Sequence, residues 1–311
     1  MGDIKQGSPT GKMRELFCRH TDLAPARTAI LLSGEGSNAE AILRYCRSGK
    51  RAFSPELVVT DTPLSRAREI AHAAELPLLL SDIRAFYASS GEESIRLDTP
   101  RRRELRRAWS DGLGRELDRY GIELVLFAGF MPMTSLTEKF PCLNVHPGDL
   151  TVTAPDGSRP FAGLHYKPVE DALCGGMTYL RSSVILAQPY AGDGKSDMDS
   201  GPVIGVSRKI PVEIAPDTPE TLSELRASRQ GGSSSDRLRR LAESHIRRMK
   251  LLGDHVIFSR AAEDFARGRF ALDDGGGLLF FDGGAWTPVL SVTYADDGAM
   301  PISRETRGRE E

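Results

Sequence analysis

The stretch "TAILLSGEGSN", Thr28–Asn38, runs from a short apolar segment straight into two glycines and a pair of polar residues. Six residues of this kind, stopped at once by glycine, read as a buried parallel strand, because a helix of the same apolarity would need a longer run with a 3.6-residue period. A helix is then expected from Asn38 to about Cys46. Ligands of open parallel sheets bind outside the carboxyl ends of the strands, so the turn Gly34–Asn38 is both a folding signal and a first candidate site.

Working outward, "ELVVT" (Glu56–Thr60) is a second strand, Leu64–Ala74 a second helix and "LPLLL" (Leu76–Leu80) a third strand. Strands alternating with helical segments predict an α/β fold with a Rossmann-like, mostly parallel sheet flanked by helices. The arginine- and glutamate-rich segment Pro100–Tyr120 reads as a solvated helix, leading into "ELVLFA" (Glu123–Ala128) and a further short strand at Cys142–Val145. Beyond residue 150 the pattern changes. Thr151–Arg159 is polar and turn-rich, and Gln230–Ser235 is a flexible loop by composition. A long helix from Asp236 to about Leu252, a second around Ser259–Ala266 and a small C-terminal β-hairpin near Leu278–Val289 complete the expected fold. The expected domain organisation is a polar N-terminal lead over residues 1–27, one catalytic domain over 28–290 and a flexible tail over 291–311.

With 41 basic and 43 acidic residues the formal net charge is −2, which offers no overall field for nucleic acid or an anionic membrane. The cluster Arg101, Arg102, Arg103, Arg106 and Arg107 is balanced by nearby acids and fits a solvated helix face better than an RNA patch. The four cysteines (Cys18, Cys46, Cys142 and Cys174) lack the paired spacing of a zinc site and the density of a disulfide scaffold, as expected in a reducing cytoplasm. No apolar run long enough to span a bilayer and no secretory signal core is present, so a cytoplasmic location without membrane contact is expected.

Two places carry candidate chemistry. At the first, Gly36 lets the backbone approach a phosphate, Ser37 and Asn38 add donors, and the helix behind them offers unpaired N–H groups. The same residues fit an ordinary strand-to-helix turn equally well. They also satisfy a loose dinucleotide fingerprint through Gly34, Gly36 and Ala39, with Asp61 ending the second strand where an acid would hold a ribose. At the second, Asn144 and His146 close the strand "CLNVH", and Asp199 opens "DSGP". A histidine takes protons near neutral pH, a carboxylate orients it and an asparagine N–H stabilises an oxyanion, a set suited to acyl transfer if the fold brings residue 199 to the strand. His146 alone reads equally as a satisfied strand-end histidine.

The strings "ILLSGEGSN", "LVLFAGFM", "LNVHP", "FAGLH", "DSGPVI" and "DHVIFSRAAEDFARGRF" follow one another in this order. Together they resemble the folate-dependent formyltransferases, most closely the phosphoribosylglycinamide formyltransferases of purine synthesis. The resemblance implies transfer of a formyl group from the co-substrate 10-formyltetrahydrofolate to the primary amine of a phosphorylated small molecule, glycinamide ribonucleotide first among them, without a metal. It further implies a monomer or homodimer with no nucleic-acid partner. Residue by residue, it assigns Asn144 to the oxyanion, His146 to proton transfer, and Asp199 to orienting His146 or a water. Gly36, Ser37 and Asn38 become the substrate-phosphate loop, His165 and Asp254 substrate contacts, and Phe130 and Met131 the lining of the pterin pocket, although both also suit an ordinary core.

This chain departs from the family pattern around both pockets. Gly148–Thr151 replaces the residues usual after the histidine, Pro132 replaces an arginine, and the family's Thr-Val-His strand appears as Ser182–Val184. The loop up to Phe161 and the segment Ala187–Met198 are enlarged. Asp149, Asp193, Asp197 and Asp199 lack an ordered metal-ligand spacing and read as loop carboxylates. His20, His72 and His245 read as surface residues, and His255 as a second-tier candidate. Four alternatives stay open: the same chemistry on an amino sugar nucleotide, a folate deformylase, an NAD-type dinucleotide-binding protein, and a non-catalytic ligand-binding relative. The known deformylases carry a regulatory domain that the short lead before Thr28 is not expected to supply.

Overall fold

The computed structural model describes residues 12–18, 24–163, 166–189, 197–229, 236–296 and 298–303. The chain opens with β1 (Arg14–Glu15), β2 (Ala26–Leu32), α1 (Ser37–Arg47), β3 (Phe53–Thr60), α2 (Ala67–Ala74) and β4 (Leu78–Leu80). Next come α3 (Ile83–Ser89), α4 (Pro100–Arg119), β5 (Leu124–Phe127) and β6 (Cys142–His146). Beyond β6 lie α5 (Lys167–Cys174), β7 (Tyr179–Leu180), β8 (Ser183–Leu186), β9 (Val203–Val206), β10 (Ile210–Pro211) and α6 (Pro219–Ala227). The chain ends in α7 (Arg237–Met249), α8 (His255–Ala266), β11 (Phe270–Leu272), β12 (Leu278–Phe281), β13 (Trp286–Ala295) and β14 (Gly298–Ser303).

The parallel core runs in the order β4-β3-β2-β5-β6, with Ile30 opposite both Val58 and Leu126. Winding therefore proceeds outward from β2 to β4 and then resumes on its other side at β5. That reversal leaves a crevice at the carboxyl ends of β2 and β5. Past β6 the sheet turns antiparallel through β8 and β9, with His146 opposite Ser183. β13 then extends it, pairing with β9, β12 and β14.

β2 is apolar on both faces because each is covered. Ile30 and Leu32 pack with Ile42 of α1, Ile70 of α2 and Phe258 and Phe265 of α8. Ala29 and Leu31 pack with Tyr87 of α3 and Leu105, Trp109 and Leu113 of α4. Burying each large side chain contributes about 1.5–3 kcal/mol, so these two layers are what fix the strand ends in space. A third cluster, under α5, α6 and α7, gathers Phe161, Val169, Leu173, Leu222, Leu238 and Met249.

Several expectations need correction. The Pro100–Tyr120 helix is not merely a solvated face. Arg106 is buried and donates to the carbonyls of Met133 and Ile95, while Trp109 donates to Ser81 O. Instead of two separate late helices, α7 and α8 run on through five π-helical residues, Lys250–Asp254. Strand pairing reaches past residue 290: β13 continues to Ala295 and β14 to Ser303. The expected Gln230–Ser235 loop and the segment from Arg304 lie outside the described residues.

Candidate functional site

Asn144 and His146 are two residues apart on β6, so their side chains leave the same face of the sheet. Asp199 lies in the 3₁₀ turn Asp197–Ser200 ahead of β9, and the antiparallel run β6-β8-β9 brings that turn back to β6. Asn144 Nδ2 donates to Asp199 Oδ1 at 3.3 Å, and Asp199 Oδ2 stands 3.7 Å from His146 Nδ1. The three residues expected to act together are thus side by side. His146 is 4% exposed, so its ring is oriented by protein groups. Its Nε2 lies 2.8 Å from Phe161 O; a carbonyl can only accept, so Nε2 carries the hydrogen and Nδ1 faces Asp199.

The loop after β6 closes over this pair. Gly148 is required there, because a Cβ would lie 2.5 Å from Phe161 O and 3.1 Å from His146 Nε2. The Ser183 hydroxyl donates to Gly148 O at 2.7 Å and accepts from Leu150 N at 3.0 Å, which pins the turn. Arg159 donates through Nη1 to Asp199 O and through Nη2 to Gly201 O at 2.9 Å. Arg159 and Gly148 have supporting places in the site that the sequence reading did not assign. Their bonds or close contacts go to backbone carbonyls, which leave no residue-type signal.

At the first turn, Gly36 caps α1 with φ 71° and no side-chain acceptor for the helix's leading N–H groups, an arrangement open to an anion. Behind it Asn38, nearly buried, donates through Nδ2 to Asp254 Oδ2 at 3.3 Å. Asn38 Oδ1, Asp254 Oδ1 and Ser182 Oγ are buried side-chain atoms with no hydrogen-bond partner. Asn38 Oδ1 and Asp254 Oδ1 are acceptors, so they call for a hydrogen-bond donor such as a hydroxyl rather than for a phosphate. Burial pushes the Asp254 carboxyl above its ordinary range, with Ser182 and Asn38 pulling the other way. The π-helical segment sets Asp254 inward: a Cβ on Gly253 would lie 2.5 Å from Ser182 Oγ, so the segment sits directly on the residue preceding β8.

Of the remaining candidates, Phe130 stacks on Trp109 and Phe127 with ring centroids 6.2 and 5.7 Å away, while Met131 is exposed and donates its N–H to Ser33 Oγ. His165 lies outside the described residues, as does Asp193. His245, expected at the surface, is buried, with Nε2 3.1 Å from Glu213 O, and burial lowers its pKa. His255 is half-buried, and burial lowers its pKa while Asp254 opposes this. Asp61 is buried against Ser33; burial raises its pKa, and Oδ1 has no partner. Among the described residues no group of three or more His, Cys, Asp or Glu side chains could hold a metal, and no helix is long and apolar enough to cross a membrane.

A mostly parallel sheet continued by antiparallel strands, with polar residues gathered at the strand ends, is the Rossmann-like formyltransferase fold. The solved structures similar to this chain are mostly phosphoribosylglycinamide formyltransferases. Glycinamide ribonucleotide transformylase 1 from Symbiobacterium toebii is 25% identical over 86% of this chain and 99% of its own, with a TM-score of 0.55. Phosphoribosylglycinamide formyltransferase from Coxiella burnetii is 20% identical over 88% and 100%, with a TM-score of 0.55. A formyltetrahydrofolate deformylase from Pseudomonas syringae pv. tomato is 13% identical over 84% of this chain and 67% of its own, with a TM-score of 0.53. No protein-family profile matches the sequence, and neither does any curated protein.

Proposed function

We propose that this protein transfers a formyl group from 10-formyltetrahydrofolate to the primary amine of a phosphorylated small molecule, glycinamide ribonucleotide being the leading substrate. The observation that carries the reading is the convergence of Asn144, His146 and Asp199, drawn from positions 55 residues apart, at one strand end. The amine attacks the formyl carbon, forming a C–N bond and a tetrahedral oxyanion. Asn144 has a second N–H beyond the one given to Asp199, and that donor serves the oxyanion. The amine's proton passes to His146 Nδ1 or to a water held by Asp199, and is delivered to N10 of the folate as the bond from N10 to the formyl carbon breaks. Tetrahydrofolate leaves, and the amine has exchanged one hydrogen for the formyl group.

The α1 N-terminus, with Gly36, Ser37 and Asn38, is the phosphate end of the proposed site, and Asp254 is a contact for the sugar. Met131 is proposed to meet the pterin beside the β2–β5 crevice, with Phe130 backing it from the core. The test is tetrahydrofolate release from 10-formyltetrahydrofolate with and without glycinamide ribonucleotide. Ribonucleotide-dependent release supports the assignment. Equal release without the ribonucleotide indicates water as acceptor, and dependence on another amine redirects the substrate alone.

A further inference from the structure

Asp199's carboxylate is weakly restrained by its own contacts, since 3.3 Å to Asn144 and 3.7 Å to His146 lie at or beyond the edge of hydrogen-bond range. Its backbone is held far more firmly. Arg159 spans the carbonyls of Asp199 and Gly201 with its two terminal nitrogens, bracketing Ser200. Gly201 is pressed against β8, where a Cβ would lie 1.9 Å from Leu186 O, so the turn is fixed by sterics on one side and by the guanidinium on the other. Arg159 is also tied to the residues that hold His146: Ala162 N donates to Arg159 O at 3.1 Å, and the intervening Phe161 supplies the carbonyl for Nε2.

We propose that Arg159 is a positioning residue of this site, one that holds Asp199 and, through the turn to Phe161, His146 in mutual register. The loop after β6 is then part of the catalytic apparatus, acting through the backbone of the Asp199 turn. The inference rests on the formyl-transfer reading for its kinetic consequence but not for its structural one. A planar fork can hold two carbonyls at once, whereas the single ammonium of a lysine cannot reproduce that geometry.

The experiment compares wild type, Arg159→Ala and Arg159→Lys in the full chain, by amide hydrogen exchange and by formyl-transfer kinetics. Exchange at Ser200 and Gly201 should rise about tenfold or more in both variants, with the β2–β6 amides unchanged. For Arg159→Ala, kcat should fall on the order of 100-fold, as for a small misplacement of reacting groups, with KM held within roughly threefold and partial recovery on adding guanidinium ion. Unchanged exchange overturns the proposal, as does loosening throughout the sheet. So does a rise in KM with kcat intact, which would make Arg159 a substrate contact. If wild type transfers formyl to no amine, the functional reading fails by itself, and the exchange data still decide whether Arg159 holds the Asp199 turn.

Discussion

The glycine turn and the strand-end site are built by opposite means. At the turn, geometry is set by close contact: Gly36 has φ 71°, and a Cβ there would lie 2.3 Å from Ile70 Cδ1 and 2.7 Å from Leu32 Cδ1. Strand, helix and neighbouring helix define it together, so it cannot be altered without disturbing the core. At the strand end, β6 supplies Asn144 and His146, while Arg159 and Phe161 of the loop after β6 bond to the Asp199 turn and to His146 and are proposed to set their register. Loops carry substrate-facing functions and accept change more readily than core elements. The two ends of the proposed site should therefore respond differently to substitution: the turn through stability, the strand end through rate.

The largest effect that would test this contrast is expected from His146→Ala or Asp199→Asn. Either should lower kcat by about 10²–10⁴-fold, with the thermal midpoint moved by only a few degrees in the same preparation. Next is Gly148→Ala, whose Cβ would meet Phe161 O at 2.5 Å. It should push that carbonyl off His146 and lower kcat by roughly tenfold to 100-fold, with a smaller change in denaturant midpoint. Gly36→Ala should do the reverse. A left-handed backbone and a crowded pocket should cost about 1–3 kcal/mol in urea unfolding, with KM for the phosphorylated substrate raised and kcat unchanged.

The smallest effect separates the turn's proposed ligand role from its packing. Asp254 is a buried acid whose folded pKa is raised, chiefly by burial. Above the ordinary carboxylate range the unfolded chain is ionised while the folded carboxyl resists. Its contribution to stability is therefore full at low pH and is lost as pH rises to the folded value. Asp254→Asn should remove that decline, raising the unfolding midpoint near pH 7 by a few degrees and leaving it unchanged near pH 4. The same variant should raise KM for a ribonucleotide, giving a more stable protein that binds less well.

What the sequence revealed follows the same division. β2, β3 and β5 were readable because burial on both faces demands short, continuously apolar runs, as in Ala29–Leu32. The glycine turn was readable because a positive φ selects glycine at Gly36. α3 escaped the reading because its seven residues, capped by Asp82, are too few to establish a period. β14 escaped it because "GAMPIS" carries a proline, tolerated where Pro301 pairs only with Val292 of β13. His245 looked like a surface histidine on an arginine-rich helix, yet α7 buries one narrow face and His245 lies on it. Asn144, His146 and Asp199 were legible as candidates by residue type and motif order, and their proximity needed the fold.

Formyl transfer at the Asn144–His146–Asp199 strand end can be followed with an isotopically labelled formyl group from 10-formyltetrahydrofolate into glycinamide ribonucleotide, using wild type, His146→Ala and Asp199→Asn. Label is expected on the ribonucleotide amine in the wild-type reaction and should be almost wholly lost in both variants while each remains folded. Label transferred equally by all three, or left on the folate by a folded wild type offered this and other phosphorylated amines, would contradict formyl transfer at this strand end.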